Sequence, residues 1–122
     1  MAKLDKYRLV NGTVLTFKYE GELNPGDAVT FSATTPGVVT RPSDPDSELY
    51  GKAITVDKDR GIAAVQVDGI AVFRWSGTLP TASTTMSIAP SPDGSVHSQA
   101  GVRAHIVVDV DPDTNEVAIR IL

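Results

Sequence analysis

Two histidines, His97 and His105, are the chain's strongest candidates for proton transfer, since imidazole alone titrates near neutrality when unperturbed. They stand eight residues apart, on different expected elements, with no second ligand at metal spacing. A nucleophilic triad needs a serine, a histidine and an orienting acid converging on a pocket, and no G-x-S-x-G turn is present to present the serine. Surface histidines are the default reading. The run DVDPDTNE places Asp109, Asp111 and Asp113 at positions 1, 3 and 5 of a calcium loop, but Thr114 stands where glycine is required and Arg120 where glutamate is required. A hairpin turn accounts for the same residues, because aspartate and asparagine favour turns. The acids Asp44, Asp46 and Glu48 read as a solvated loop. No catalytic residue, metal ligand or cofactor site is expected.

The remaining candidates are residues that bind. Trp75 follows a strand-like stretch just before Ser76-Gly77, and tryptophan is over-represented in interfaces. The net charge is −4, yet Lys3, Lys6 and Arg8 against Asp5 make the first eight residues positive. With Leu4 and Tyr7 among them, residues 1–6 read as an N-terminal arm that leaves the body and docks on an acidic partner. The partner-binding candidates are therefore Lys3, Leu4, Lys6, Tyr7, Arg8 and Trp75.

The elements that must position these residues are strands. Valine and threonine number 15 and 12 against 7 leucines, and β-branched side chains suit pleated surfaces. No helical period is visible, and glycine and proline break the chain at short intervals. Strands are expected at Tyr7–Val10 and Thr13–Tyr19 with an Asn11-Gly12 hairpin turn, Leu15, Phe17 and Tyr19 of the second sharing the face turned to the core. Further strands are expected at Ala28–Ala33, Gly37–Thr40 and Tyr50–Val56, with Asp57–Gly61 a turn. The apolar stretch IAAVQVDGIAVFRW splits at Asp68-Gly69 into Ile62–Val67 and Ile70–Trp75, read as the central hairpin. Residues 76–87 read mostly as loop, with Met86–Ala89 a short strand. Ser91-Pro92-Asp93-Gly94 is a turn, and Arg103–Val110 with Glu116–Leu122 make a closing hairpin. No segment reads as an internal repeat. The expected fold is all-β, a small antiparallel barrel or sandwich of short hairpins with essentially no helix, residues 7–122 forming one domain.

Composition excludes other classes. There is no cysteine, so no disulfide or thiol chemistry. No apolar run is long enough to span a membrane and no signal-peptide core is present. The acidic balance argues against nucleic acid as partner.

The order of features, YRLVNGTVLTF, then ELNPGDAVTF, then GKAITVDKDRGIAAVQVDGIAVF, then PDGSVHSQAGVRAHIVVDVDPDTNEVAIRIL, resembles the small capsid decoration (cement) proteins of tailed bacteriophages nearly end to end. The resemblance implies a non-enzymatic structural protein, often trimeric. It would be made in the host cytoplasm, and it would bind the major capsid protein on the outer surface of the virion. A carbohydrate- or protein-binding β-sandwich module is the other reading, and a small β-barrel enzyme a third.

Overall fold

The computed structural model describes residues 3–8 and 11–121. Ten strands follow one short 3-10 turn at Asp5–Tyr7. They are β1 (Val14–Tyr19), β2 (Ala28–Phe31), β3 (Val38–Thr40), β4 (Gly51–Asp57), β5 (Ile62–Gln66), β6 (Gly69–Arg74), β7 (Thr84–Pro90), β8 (Val96–Ser98), β9 (Ala104–Asp111) and β10 (Glu116–Ile121). The first five close into a barrel in the order β1-β3-β2-β4-β5. The last five form a curled sheet in the order β6-β10-β9-β7-β8. All-β architecture is thus established. One pairing departs from the antiparallel expectation, because β1 and β3 run parallel through Lys18↔Val38 and Tyr19↔Val39.

The two halves repeat one another. β6 ends in a parallel bridge from Trp75 to Val96, the first residue of β8. The curled sheet therefore carries the circular order of the barrel, β6-β8-β7-β9-β10 in place of β1-β3-β2-β4-β5. The main-chain hydrogen bonds correspond. Tyr19 N donates to Gly61 O at 3.1 Å and Trp75 N to Asn115 O at 2.9 Å. Glu20 N donates to Val39 O at 3.1 Å and Ser76 N to Val96 O at 2.8 Å. Gly26 N donates to Ala53 O and Ser83 N to Val107 O, both at 2.7 Å. Both hairpins carry a bulge at the same place, skipping Ile54 opposite β5 and Val108 opposite β10. Left-handed backbone recurs too, at Gly26 (φ 95°) and Ser83 (65°), and at Gly61 (67°) and Asn115 (56°).

The repeat is written in the sequence at VLTFKYEGEL (Val14–Leu23) and IAVFRWSGTL (Ile70–Leu79), which share phenylalanine, glycine and leucine and exchange Lys for Arg and Tyr for Trp. Similar chemistry rather than identity carries it, which is why no repeat stands out on reading.

Alternation along each strand builds two interiors. The barrel encloses Leu23, Val29, Val39, Ala53, Ala63 and Val65, with Phe17 and Tyr19 packed against them. The curled sheet encloses Phe73, Trp75, Ile88, Val107, Val117 and Ile119, among others, and the same cluster includes Ala28 and Leu49 from the barrel half.

Two expected hairpins are not formed. β5 and β6 do not pair: β5 lies between β1 and β4 in the barrel, while β6 pairs with β10. Asp68-Gly69 is the crossing from one unit to the other. Asn11-Gly12 is not a hairpin turn either. Tyr7 lies in the 3-10 turn, β1 takes β5 as its antiparallel partner, and Leu9 and Val10 lie outside the described residues. The two dipeptides instead face each other. Asn11 Nδ2 donates to Ile70 O at 2.9 Å, and Ile70 N donates back to Asn11 Oδ1 at 2.6 Å. Asp68 Oδ1 accepts from Thr13 N at 2.6 Å. A Cβ at Gly12 would strike the Asp68 carbonyl and one at Gly69 would strike Asn11, so both glycines are set by close approach. The closing hairpin forms as expected, from β9 and β10. Residues Val96–Ser98, not anticipated as a strand, pair with β7.

Candidate functional site

The N-terminal residues pack on their own chain. Leu4 is fully buried in a cluster with Val72 and Ala118, flanked by Tyr7, Ile70 and Val108, on the outer face of the curled sheet. Lys3 Nζ lies 3.4 Å from Asp109. Arg8 donates to Glu116 at 2.7 Å and to Asp5 at 3.0 Å, and the bond to Glu116 raises the Arg8 pKa. The Lys6 ammonium sits 5.1 Å over the Tyr7 ring. The segment expected to leave the body is a strap sealed by a leucine. Desolvating Leu4 contributes about 2 kcal/mol to the docked form, beside the contacts of Lys3 and Arg8. Trp75 is also internal, 4% exposed, with its indole N–H donating to Thr78 O at 2.9 Å. Of the six candidates, only the exposed cationic ends of the strap face solvent.

Between the units lies a charged knot. Asp27, 2% exposed, accepts from Asn24 N at 2.8 Å, from Arg41 Nε at 2.7 Å and from Arg74 Nη2 of β6 at 3.4 Å. The bond to Asp27 raises the Arg41 pKa against its own desolvation. Arg74 also donates to Asp93 O at 2.9 Å. Hydrogen bonds from the Ser95 hydroxyl and main chain hold the Asp93 carboxyl below its usual range. Ala28 N donates to Gly94 O at 2.8 Å, with Gly94 so close that a Cβ would strike Asp27.

The acidic loop 41–48 is not a solvated excursion. Gln99 Nε2 donates to Asp46 at 2.8 Å, Arg103 N to Glu48 at 2.8 Å, and His97 Nε2 to Pro45 O at 3.2 Å. Because a carbonyl only accepts, Nε2 of the neutral His97 ring carries the proton, and Nδ1 accepts from the Ser91 hydroxyl at 2.6 Å. The loop thus pins the barrel half to β8 and β9 and delivers Leu49, fully buried, to the curled sheet's interior. His105 is fully buried as well. Burial, with Arg103 adding to it and Glu48 opposing it, lowers its pKa. In the closing turn, Asp111 Oδ1 accepts from Asp113 N at 3.0 Å. Among the described residues no three His, Asp or Glu side chains converge as a metal group.

Apolar contact is offered by the barrel. The exposed large apolar side chains among the described residues are Val14, Leu15 and Phe31. Phe31 meets Phe17 edge-on at 5.5 Å and Tyr50 at 4.8 Å, and the Arg103 guanidinium stacks over Tyr50 at 5.1 Å. Phe31 also borders a groove of about 440 Å³ lined by Glu20, Thr30, Thr40, Arg41 and Asp44. Sequence alternation placed Leu15, Phe17 and Tyr19 on the inner face of β1. It could not show that Leu15 stays 47% exposed there. A smaller cavity of about 290 Å³ is bounded by Arg74, Trp75, Asp93, Ser95 and Asn115.

No protein-family model and no curated protein matches the chain.

Proposed function

We propose that the chain is a structural virion protein that binds the outside of an assembled phage capsid through its major capsid protein and stabilises it. The observation that carries this reading is the distribution of unsatisfied surface. His97 is held between the Ser91 hydroxyl and the Pro45 carbonyl and Asp27 is held by arginines, whereas apolar side chains are left exposed on one barrel. Such a surface gains from contact with another protein. The resemblance to capsid decoration proteins supplies the partner. Stabilisation acts by mass action: a ligand of the assembled state alone adds about 2.7 kcal/mol per site at a hundredfold excess over Kd. On the shell the protein acts as a homotrimer.

The test is co-sedimentation with shells assembled from the major capsid protein of the genome that encodes this chain, followed by heating. Saturable binding that raises the shell's disruption temperature is expected; absence of binding rejects the reading. Light scattering of the free protein and a reconstruction of the decorated particle test the trimer, which monomers in both settings would exclude.

A binding module for carbohydrate is the second reading. The groove beside Phe31 favours it, since an aromatic side chain there adjoins Glu20, Asp44 and Arg41. Saturable glycan binding by calorimetry, lost in Phe31→Ser, would select it.

A further inference from the structure

From the comparison of the two units we infer that the open mouth of the barrel is a seat for one aliphatic side chain carried on a loop of the shell subunit. This rests on the proposed capsid reading and names the contact. The interior positions of the repeats correspond one to one: Leu15, Phe17 and Tyr19 of β1 stand where Ala71, Phe73 and Trp75 of β6 stand, Val39 where Val96 stands, and Val65 where Ile119 stands. Counted from the paired left-handed residues Gly26 and Ser83, Phe31 corresponds to Ile88.

Along β1 burial is lower than along β6, with Phe17 and Tyr19 half-buried where Phe73 and Trp75 are buried, and the gap between the units is widest at two positions. Leu15 is 47% exposed and Phe31 37%, while Ala71 is 1% and Ile88 0%. The difference has a visible cause. Ala28 and Leu49 from the barrel half lie in the same buried cluster as Ala71 and Ile88. Leu49 arrives there on loop 41–48, held by His97, Gln99 and the main chain of Arg103. The curled sheet is plugged by an aliphatic side chain delivered from outside the unit, and among the described residues the barrel's equivalent mouth carries the Phe31–Tyr50–Arg103 stack at its rim. The flanking charges are mixed, with Arg103 on one side and Glu20, Arg41 and Asp44 on the other. Shape and apolar contact, not charge sign, therefore select the occupant. Of possible occupants the structure displays one kind, a leucine on a short loop.

The variants Leu15→Ser and Phe31→Ser test the seat, with Val14→Ser as control. Val14 has comparable exposure (37%) but lies on the opposite face of the same strand. In co-sedimentation, both seat variants are expected to bind shells at least tenfold more weakly, with Val14→Ser within twofold of the parent and all three keeping their melting temperature within a few degrees. Parental shell binding by both seat variants overturns the seat and leaves the capsid reading standing. Equal loss in Val14→Ser overturns it too, as does conversion of a free oligomer to monomer by the seat variants, which would assign the surface to a second copy. Should the parent not bind shells at all, the capsid reading fails and a peptide probe decides the seat. The peptide of residues 43–50 of this chain, Ser-Asp-Pro-Asp-Ser-Glu-Leu-Tyr, added at millimolar concentration should shift the NMR signals of Leu15, Phe31 and Tyr50. The same peptide with its leucine replaced by serine should not. No shift with either peptide overturns the inference.

Discussion

Leu4 decides how the N-terminus behaves. A leucine buried this completely contributes through desolvation and packing, so Leu4→Ala should lower stability by about 2 kcal/mol in urea unfolding. Lys3→Ala should change it by less than about 0.5 kcal/mol, because its pair with Asp109 is half in water. A detached arm would give no loss for Leu4→Ala. His105 sets the pH response. Its folded-state pKa lies below the ordinary value near 6.5, so between the two values the unfolded chain binds a proton that the folded chain does not. Stability is full above about pH 6.5 and falls as pH drops below it, by up to about 1.4 kcal/mol per pH unit. Melting curves from pH 8 to 5 should show this slope, and His105→Gln should flatten it. An unchanged slope in the variant would assign it to other groups.

At the scale of elements, the paired left-handed residues make a reciprocal test. Ser83 holds a conformation that costs a non-glycine residue about 1 kcal/mol, while its counterpart Gly26 does not. Ser83→Gly should therefore raise the melting temperature or leave it level, and Gly26→Ser should lower stability by about 1 kcal/mol; the opposite order would refute the equivalence. These elements also show what sequence could convey. The hairpins at Asp57–Gly61 and Asp111–Asn115 were legible because turn and pairing are local. Asn11-Gly12 and Asp68-Gly69 mislead as hairpin signals because the same dipeptides serve wherever backbone must approach backbone, and here they approach each other across the two units. The parallel closure of β1 on β3 joins residues some 20 apart through two rungs, with no local signal. Of the site, the inward face of β1 was legible. The exposure of Leu15 was not, because it depends on which unit receives Leu49.

At the scale of the whole molecule, the two units should melt as one. Leu49 and Ala28 of the first lie in the core of the second, and Asp27 is buried between arginines of both. Calorimetry should give a single transition with equal calorimetric and van't Hoff enthalpies; two resolved transitions would show independent units. Asp27→Asn should cost about 2 kcal/mol, since the buried side chain loses its charge-assisted bonds to Arg41 and to the half-exposed Arg74.

The duplicated strand pattern carries a hazard for the folding chain. During refolding β6 has the turn chemistry to enter the place of β1, and β1 that of β6, which is the route to strand-exchanged traps. Side-chain volume across the ladder discriminates. In the barrel Leu15 faces Val65 and Phe17 faces Ala63; in the curled sheet Ala71 faces Ile119 and Phe73 faces Val117. An exchanged pairing would crowd Leu15 against Ile119 and leave a void between Ala71 and Val65, each costing on the order of 1–3 kcal/mol. Divergence between the copies is thus a proofreading code for strand partners, and a chain with its two copies made identical should refold slowly and populate misassembled species.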